Sequence, residues 1–304
     1  MIGTGAVAAI HAAQLAVDPE AALMAVYSPD HAAASAFASQ FGFCRVAPSL
    51  QDACTGTDVA IICSPPQHHF GQARACLQAG LHTLVELPAC EAVLEAEDLG
   101  ICAAQSGLRL GCAHTARYLS PYIQIRDCLR QGRLGAIQHV NYVRFPQLNP
   151  KAWIDHALDH HAAHIIDLIL DWFGGVDPVA AALYPDEEMT RNASLLGRLP
   201  DGASVAVTVS YDSHLPVNSL LVIGSKHTLE SDGFSFIRSD DGVLHQSALQ
   251  PTYENAIRDQ DRAFLAACQG VGDYVDWQDT IRLMRAVDHF KSLACRQSIA
   301  TRDK

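Results

Sequence analysis

Gly3-Thr-Gly5-Ala-Val-Ala8, close to the amino end, decides how the first third of this chain is read. It fits G-x-G-x-x-A, a dinucleotide-binding turn in its alanine form. Gly3 makes the tight turn, Gly5 lets the backbone approach a pyrophosphate, and the small Ala8 lets helix and strand pack closely. A phosphate then sits at the helix N-terminus, where free N–H groups and the helix dipole favour anions. The context supports this reading, because an alanine-rich helix (Ala6 to Leu15) and an apolar strand, Leu23-Met-Ala-Val-Tyr27, follow. Only Met1 and Ile2 precede Gly3, whereas a strand of about five residues belongs there. Either about five strand residues precede Met1, or the sheet has a hole beside its cofactor. The first is expected, since nothing later in the chain looks decayed; taken literally, the chain as written binds cofactor poorly.

Working outward, the first ~115 residues alternate short apolar strands with helices, the βαβ signature of a parallel sheet. Val59-Ala-Ile-Ile-Cys63 is apolar throughout and stops at Ser64-Pro65-Pro66; Thr83–Glu86 and Leu108–Cys112 continue the series. The end of the second strand should carry the residue that reads the adenosine ribose, and it is Ser28-Pro29-Asp30-His31. Ser28 removes the acid that would repel a 2′-phosphate, although no Arg follows, so the reading is NADP or NAD with a lean to NADP. Asp30 serves equally well as a helix N-cap.

From about Ile137 the pattern changes to alternation: Ile137–Phe145, Val179–Tyr184, Ser204–Tyr211, Ser219–Ile223 and Thr228–Asp232 read as an antiparallel sheet with one wet face. The expected division is 1–115 and 116–304, with the C-terminal helices, about 277–296, packing back on the first domain.

Between the first two of those strands lies Trp153-Ile-Asp-His-Ala-Leu-Asp-His-His-Ala-Ala-His-Ile-Ile-Asp167, read as the first turns of a helix. His156, His160 and His164 are spaced four apart and fall on one helical stripe, with His161 and Asp167 a small rotation away. Three readings compete. One is a helix with solvated or core-satisfied histidines. Another is a metal site, since two histidines four apart can share a zinc ion; no Glu follows the first His and no cysteine pair accompanies the stripe, so none is expected. The third is a proton-transfer and substrate-binding face, for imidazole exchanges protons near neutral pH.

Hydrophobic content of 49% and charged content of 18% suit a soluble α/β enzyme. No segment reads as a membrane span or signal peptide. The formal charge of −12 argues against nucleic acid and requires a local basic pocket for any anionic substrate. Ten cysteines without C-x-x-C suit buried thiols in a reducing cytoplasm.

With these elements placed, the chain resembles the Gfo/Idh/MocA oxidoreductases over nearly its whole length. The resemblance rests on Gly3-x-Gly5-x-x-Ala8 with His11, Ser64-Pro65-Pro66-x-x-His69, Ala79-Gly80-Leu-His82, Glu86-Leu87-Pro88, Arg117-Tyr118 with Pro121, Gly132-x-Leu134-Gly135, and Ala162-x-His164-x-x-Asp167. It implies a Rossmann domain plus an α+β domain with an open, mostly antiparallel sheet, NAD(P) as cofactor, and hydride transfer at a carbon bearing oxygen. By the same analogy Ser64, Pro65, His69 and Glu86 lie near the cofactor, and the protein is a homodimer or homotetramer. Two positions depart from the family: Leu87 replaces the lysine of Glu-Lys-Pro, and His160 replaces an Asp four residues before the motif His164. Both departures, with Ala113-His114-Thr115, Trp153-x-Asp155-His156, His160-His161 and Gln260-Asp261-Arg262, are similar to a narrower group that forms 2-pyrone-4,6-dicarboxylate with NADP. That group oxidises an aromatic ring-cleavage semialdehyde as its cyclic hemiacetal.

The resulting expectation is a dehydrogenase for a small, carboxylated hemiacetal or alcohol. His164 or His160 takes the hydroxyl proton, and Asp167 orients His164 or simply ends a polar turn. Arg117, His156 and His161 are candidates to hold a substrate carboxylate, Arg117 first because its fork is bidentate; a structural ion pair is its other reading. Trp153 either walls the pocket or packs. The alternatives are a sugar or cyclitol dehydrogenase or imine reductase, favoured by a short Phe145–Trp153 segment, and a non-catalytic NAD(P) sensor, favoured by the absent lysine.

Overall fold

Val59–Ile62, apolar at every position, is a strand that pairs in parallel with His82–Val85 on one side and is bridged by Ile2 on the other. The computed structural model describes residues 1–148, 156–185, 189–246 and 252–302. Two compact units emerge: Met1–Thr115 with Tyr253–Ile281, and Ala116–Thr252 with Arg282–Lys304.

In the first unit, β1 (Ala25–Val26) pairs with β2 (Arg45–Val46), and β3 (Val59–Ile62) with β4 (His82–Val85) and then β5 (Leu110–Cys112), every pair parallel. Ile2 stitches the two pieces together by bridging Tyr27 and Ile62 in parallel. Its N–H reaches the Ile61 carbonyl at 2.9 Å, and its carbonyl accepts from Cys63 N–H at 2.8 Å. The helices are α1 (Ala6–Leu15), α2 (His31–Phe41), α3 (Leu50–Cys54), α4 (His69–Gln78) and α5 (Val93–Ser106). They bury Ala8, Ala12, Leu15 and Phe37 against Val26, Ile61 and Leu84. The connections run α after β, as parallel strands require.

The second unit begins with α6 (Ser120–Arg130) and is built on an eight-stranded sheet. Its strands are β6 (Ile137–Phe145), β7 (Asp177–Tyr184), β8 (Asn192–Arg198), β9 (Ser204–Ser210), β10 (Val217–Gly224), β11 (Thr228–Ser231), β12 (Phe236–Ser239) and β13 (Gly242–Gln246). Their order is β13-β12-β11-β10-β6-β9-β8-β7; β6 and β9 run parallel and all other pairs antiparallel. β8, β12 and β13 add to the five strands read from alternation. The inner face buries Val140 and Tyr142 of β6 and Val205, Val207 and Val209 of β9. Ile165, Ile166, Leu168 and Ile169 are buried on α7 (Ala163–Phe173).

Two helices end the chain, α8 (Thr252–Cys268) and α9 (Trp277–Arg302). The segment that returns to the first unit is Tyr253–Ile281, earlier than the 277–296 expected; from Arg282 onward α9 belongs with the second unit. Specific polar contacts dock the return. Trp277 Nε1 donates to the Ala96 carbonyl at 2.7 Å, and the Tyr274 hydroxyl to the Cys112 carbonyl at 2.7 Å. Gly111 makes the room, for a Cβ there would lie 2.7 Å from the Tyr274 ring and 2.9 Å from Phe264. No helix among the described residues is long and apolar enough to cross a membrane.

Candidate functional site

In the first unit the fingerprint forms the turn its glycines predict. Gly3 has φ +102°, and a Cβ on it would stand 2.5 Å from the Cys63 carbonyl oxygen, so only glycine fits between β1 and β3. Gly5 is the N-cap of α1 and contributes no side-chain cap, which leaves the first N–H groups of the helix to an outside acceptor. Ala8 is fully buried under the helix. This is a cradle for an anion, and its residues fit a nucleotide pyrophosphate.

Ser28 and Asp30 follow β1. The Asp30 carboxylate accepts from Ala33 N–H at 3.0 Å as the N-cap of α2, and the Ser28 hydroxyl accepts from Asp30 N–H at 3.3 Å. Ser64 and Pro65 form the loop after β3. His69 clamps that loop from below: its Nε2 lies 2.7 Å from the Ser64 carbonyl and its Nδ1 2.8 Å from the Pro88 carbonyl. Burial pushes the His69 imidazole down from its ordinary pKa. His69 therefore positions two loops and is itself almost fully covered.

Glu86 is tied to a buried network that sequence reading did not anticipate. His11 of α1 places Nε2 2.8 Å from Glu86 Oε1 and Nδ1 2.7 Å from Asp261 Oδ2 of α8. Burial alone would lower the imidazole, but Asp261 and then Glu86 reverse this and hold it up at about 10. An imidazolium between two carboxylates thus joins α1, the strand-end loop and α8. The adjoining Leu87 is buried, so this loop presents no amine.

The histidines lie in the second unit, on a wider turn than an α-helix provides. Leu158–Ala162 is a π-helical turn leading directly into α7, with Ala162 N–H bonded to the Ala157 carbonyl at 3.0 Å. Such turns insert an extra residue and recur at functional sites. His156 stands just ahead of this turn, and its carbonyl accepts from His160 N–H at 3.1 Å. Its Nδ1 lies 3.4 Å from Asp159, whose other contact is Lys291 Nζ at 2.6 Å. Burial lowers the His156 pKa, Asp159 opposing.

His160, His161 and His164 come together. The rings of His160 and His161 stack at 4.5 Å, and those of His160 and His164 lie 5.5 Å apart at 59°. Two residues missed in the sequence complete the group. Arg144 Nε donates to His161 Nδ1 at 3.1 Å, and the Tyr211 hydroxyl lies 3.2 Å from His160 Nδ1. Both were legible from strand parity. Arg144 shares a face of β6 with the buried Val140 and Tyr142, and Tyr211 continues the Val205, Val207, Val209 series. Guanidinium only donates, so His161 Nδ1 is an acceptor and its proton sits on Nε2. Burial, then His160, Arg144 and His164, push the His161 pKa far below its ordinary value. His161 is a fixed neutral donor.

Arg117 is engaged by two carboxylates of α7. Its Nε and Nη2 fork both oxygens of Asp167, at 2.8 and 2.6 Å, and its Nη1 reaches Asp171 at 3.3 Å. Asp167, nearly fully buried, is thus held by Arg117. Trp153 lies outside the described residues.

Comparison with known proteins matches residues 1–114 to a family described as an oxidoreductase family with an NAD-binding Rossmann fold, and 122–230 to the GFO/IDH/MocA C-terminal domain. The chain belongs to the Gfo/Idh/MocA oxidoreductases. Similar members include the 4-carboxy-2-hydroxymuconate-6-semialdehyde dehydrogenase of Sphingobium sp. (strain SYK-6), 28% identical over 77% of this chain and 78% of that one. The scyllo-inositol 2-dehydrogenase (NADP(+)) of Bacillus subtilis is 24% identical over 60% of this chain and 51% of its own. A scyllo-inositol dehydrogenase from Lactobacillus casei, solved with NAD(H) and scyllo-inositol, has the same fold. It superposes with a TM-score of 0.81 at 18% identity over 97% of this chain and 96% of that one. As a Gfo/Idh/MocA oxidoreductase, the protein pairs a Rossmann unit with a mostly antiparallel sheet and uses a nicotinamide cofactor.

Proposed function

We propose that this oxidoreductase dehydrogenates a hemiacetal or secondary hydroxyl carbon of a small, carboxylated substrate, and that the imidazole group of the second unit carries the proton chemistry. The supporting observation is the neutral, Arg144-bound His161 stacked on His160, with His164 beside them. A bound nicotinamide would accept hydride. The chain holds its pyrophosphate with the Gly3–Ala8 turn and the α1 N-terminus, with Ser64, Pro65 and Glu86 on neighbouring loops. Ser28, with Asp30 engaged as an N-cap, favours NADP.

His161 Nε2–H donates to a substrate oxygen, because Nδ1 is taken. His164 or His160 then receives the hydroxyl proton; a positioned base of this kind contributes ~10²–10⁴-fold. With Leu87 where the family carries lysine, this transfer falls to the histidines. Arg144 supplies positive charge next to them for a carboxylate, the part first assigned to Arg117.

The similarity to the semialdehyde dehydrogenase directs the first test. The purified protein is given NADP⁺ or NAD⁺ with the cyclised ring-cleavage semialdehyde, and reduced nicotinamide is followed by absorbance. Turnover only with inositols or sugars selects the second reading, which the scyllo-inositol relative supports. Cofactor binding without turnover on any hydroxyl substrate selects a sensor.

Nine of the ten cysteines, Cys44 to Cys268, are free thiols, which suits a reducing cytoplasm. Val179, Tyr184 and Leu196 are exposed on β7 and β8, and this face suits association of copies into a dimer or tetramer.

A further inference from the structure

Two of the thiols in the first unit meet. Cys54, the last residue of α3, and Cys76, near the end of α4, place their sulfurs 3.8 Å apart. The two atoms are in van der Waals contact, and a disulfide between them needs ~2.0 Å. Neither the nucleotide cradle nor the histidine group uses either residue.

Their surroundings give the two sulfurs different parts. Cys76 is fully buried, whereas Cys54 is 8% exposed and is followed by the exposed Thr55 and Gly56. A small molecule arriving from solvent therefore meets the Cys54 sulfur first. With Cys76 as donor, the S–H···S bond pulls the Cys54 thiol below its ordinary 9.0, and the same bond, then burial, pushes the Cys76 thiol up. The thiolate is the nucleophilic form of cysteine. Cys54 is the attacking sulfur, and Cys76 waits against it.

The two helices also differ in how firmly they are set. α4 sinks Ala73 and Leu77 into the core beside Cys76. α3 is one short turn, with Gln51 and Asp52 exposed. Rotation of the Cys54 side chain and a small shift of α3 close the remaining distance and leave the packing of α4 in place.

We propose that Cys54 and Cys76 form a redox modification site, at which hydrogen peroxide converts the two thiols reversibly into a disulfide that ties α3 to α4. The Cys54 thiolate attacks one peroxide oxygen. The O–O bond breaks, and the departing hydroxide takes up the Cys54 proton and leaves as water. Cys54 is then a sulfenic acid, which condenses with a neighbouring thiol. The Cys76 sulfur attacks it, the S–S bond forms, the S–O bond breaks, and the oxygen leaves as water with the Cys76 proton. Together the thiols lose two electrons, and the peroxide is reduced to two waters. The loop closed in this way carries β3, Ser64, Pro65 and His69, so oxidation joins the two ends of the segment that bears a cofactor loop.

The experiment treats the purified chain with a small excess of hydrogen peroxide, quenches it, unfolds it in denaturant, alkylates the remaining thiols and maps its peptides without reduction. Cys54 and Cys76 should vanish from the alkylated pool together and reappear as one linked peptide, and dithiothreitol should restore both. In Cys76→Ser, Cys54 should accumulate as the sulfenic acid and be labelled by dimedone; in Cys54→Ser, Cys76 should stay an unlabelled thiol. Oxygen added to Cys54 of the parent chain without a link, links that join other cysteines instead, or both thiols still alkylated after peroxide overturns the proposal. The map of the parent chain decides this even where a variant does not fold. It involves no turnover, so the result stands apart from the catalytic reading.

Discussion

The imidazole of His161 lies flat against that of His160, ring centroids 4.5 Å apart and planes 20° from parallel. Consecutive residues of an α-helix do not face each other, so this contact belongs to the wide turn at Leu158–Ala162. It separates the roles of the histidines. His164→Asn is expected to lower kcat at least ~10²-fold with cofactor affinity unchanged, and His160→Asn tests the neighbour in the same way. His161→Phe keeps the stack but removes the Nε2 donor, so it should raise KM more than it lowers kcat. Steady-state kinetics and cofactor fluorescence titration check all three; unchanged turnover in both asparagine variants removes the proposed base.

Arg117→Ala leaves the buried Asp167 carboxylate without its fork. The expected loss is ~3–5 kcal/mol of stability, read from denaturant midpoints, with little change in KM. A large rise in KM at unchanged stability would return Arg117 to the role of substrate anchor.

The His11 network predicts an alkaline limb. The folded imidazolium is held up at about 10 against an ordinary value of 6.5, so the folded chain keeps a proton that the unfolded chain has lost. This stabilisation is complete below pH 6.5 and is lost as pH rises toward 10. Melts of the parent chain and of His11→Asn compared between pH 8 and 10 isolate it, because the buried Cys63, Cys90 and Cys268 thiols, also pushed above their ordinary 9.0, contribute equally to both, and the depressed Met1 ammonium acts below 8.0. His11→Asn should flatten that limb and lower stability at neutral pH.

An acid limb has a separate origin. His69, His156 and His161 are pushed down, chiefly by burial, and stay neutral in the folded chain while the unfolded chain binds protons. Stability should therefore fall as pH drops below 6.5, the ordinary imidazole value, by at most ~1.4 kcal/mol per pH unit for each group. His161→Phe should make the slope shallower in melts between pH 5 and 7.

Gly3→Ala puts a methyl group 2.5 Å from the Cys63 carbonyl and strains a φ of +102°. A loss of ~1–3 kcal/mol from the strain alone is expected, with weaker NAD(P) binding by fluorescence titration.

Much of this was legible in the residues themselves. Val59–Ile62 and the G-x-G-x-x-A turn declared the parallel sheet, because continuous apolarity and paired glycines have few other uses. β8 was harder to read: Gly197 interrupts its inward series of Ala193 and Leu195, and short β12 and β13 carry too few alternations. The wide turn at Leu158 left no mark, since π and α turns draw on the same residues. Arg144 and Tyr211 were readable from strand parity but were passed over because they stand far from the histidines in sequence. The change of unit within α9, at Ile281, has no punctuation at all.

The contact between His11 and Asp261 spans 250 positions. A ribosome releases α1 long before it makes α8, so the nascent nucleotide-binding unit waits through the synthesis of Ala116–Thr252 for the carboxylate that completes its interior. A gene fragment ending at Thr115 would encode a sheet lacking both α8 and that charge, and its product should be recovered as aggregate.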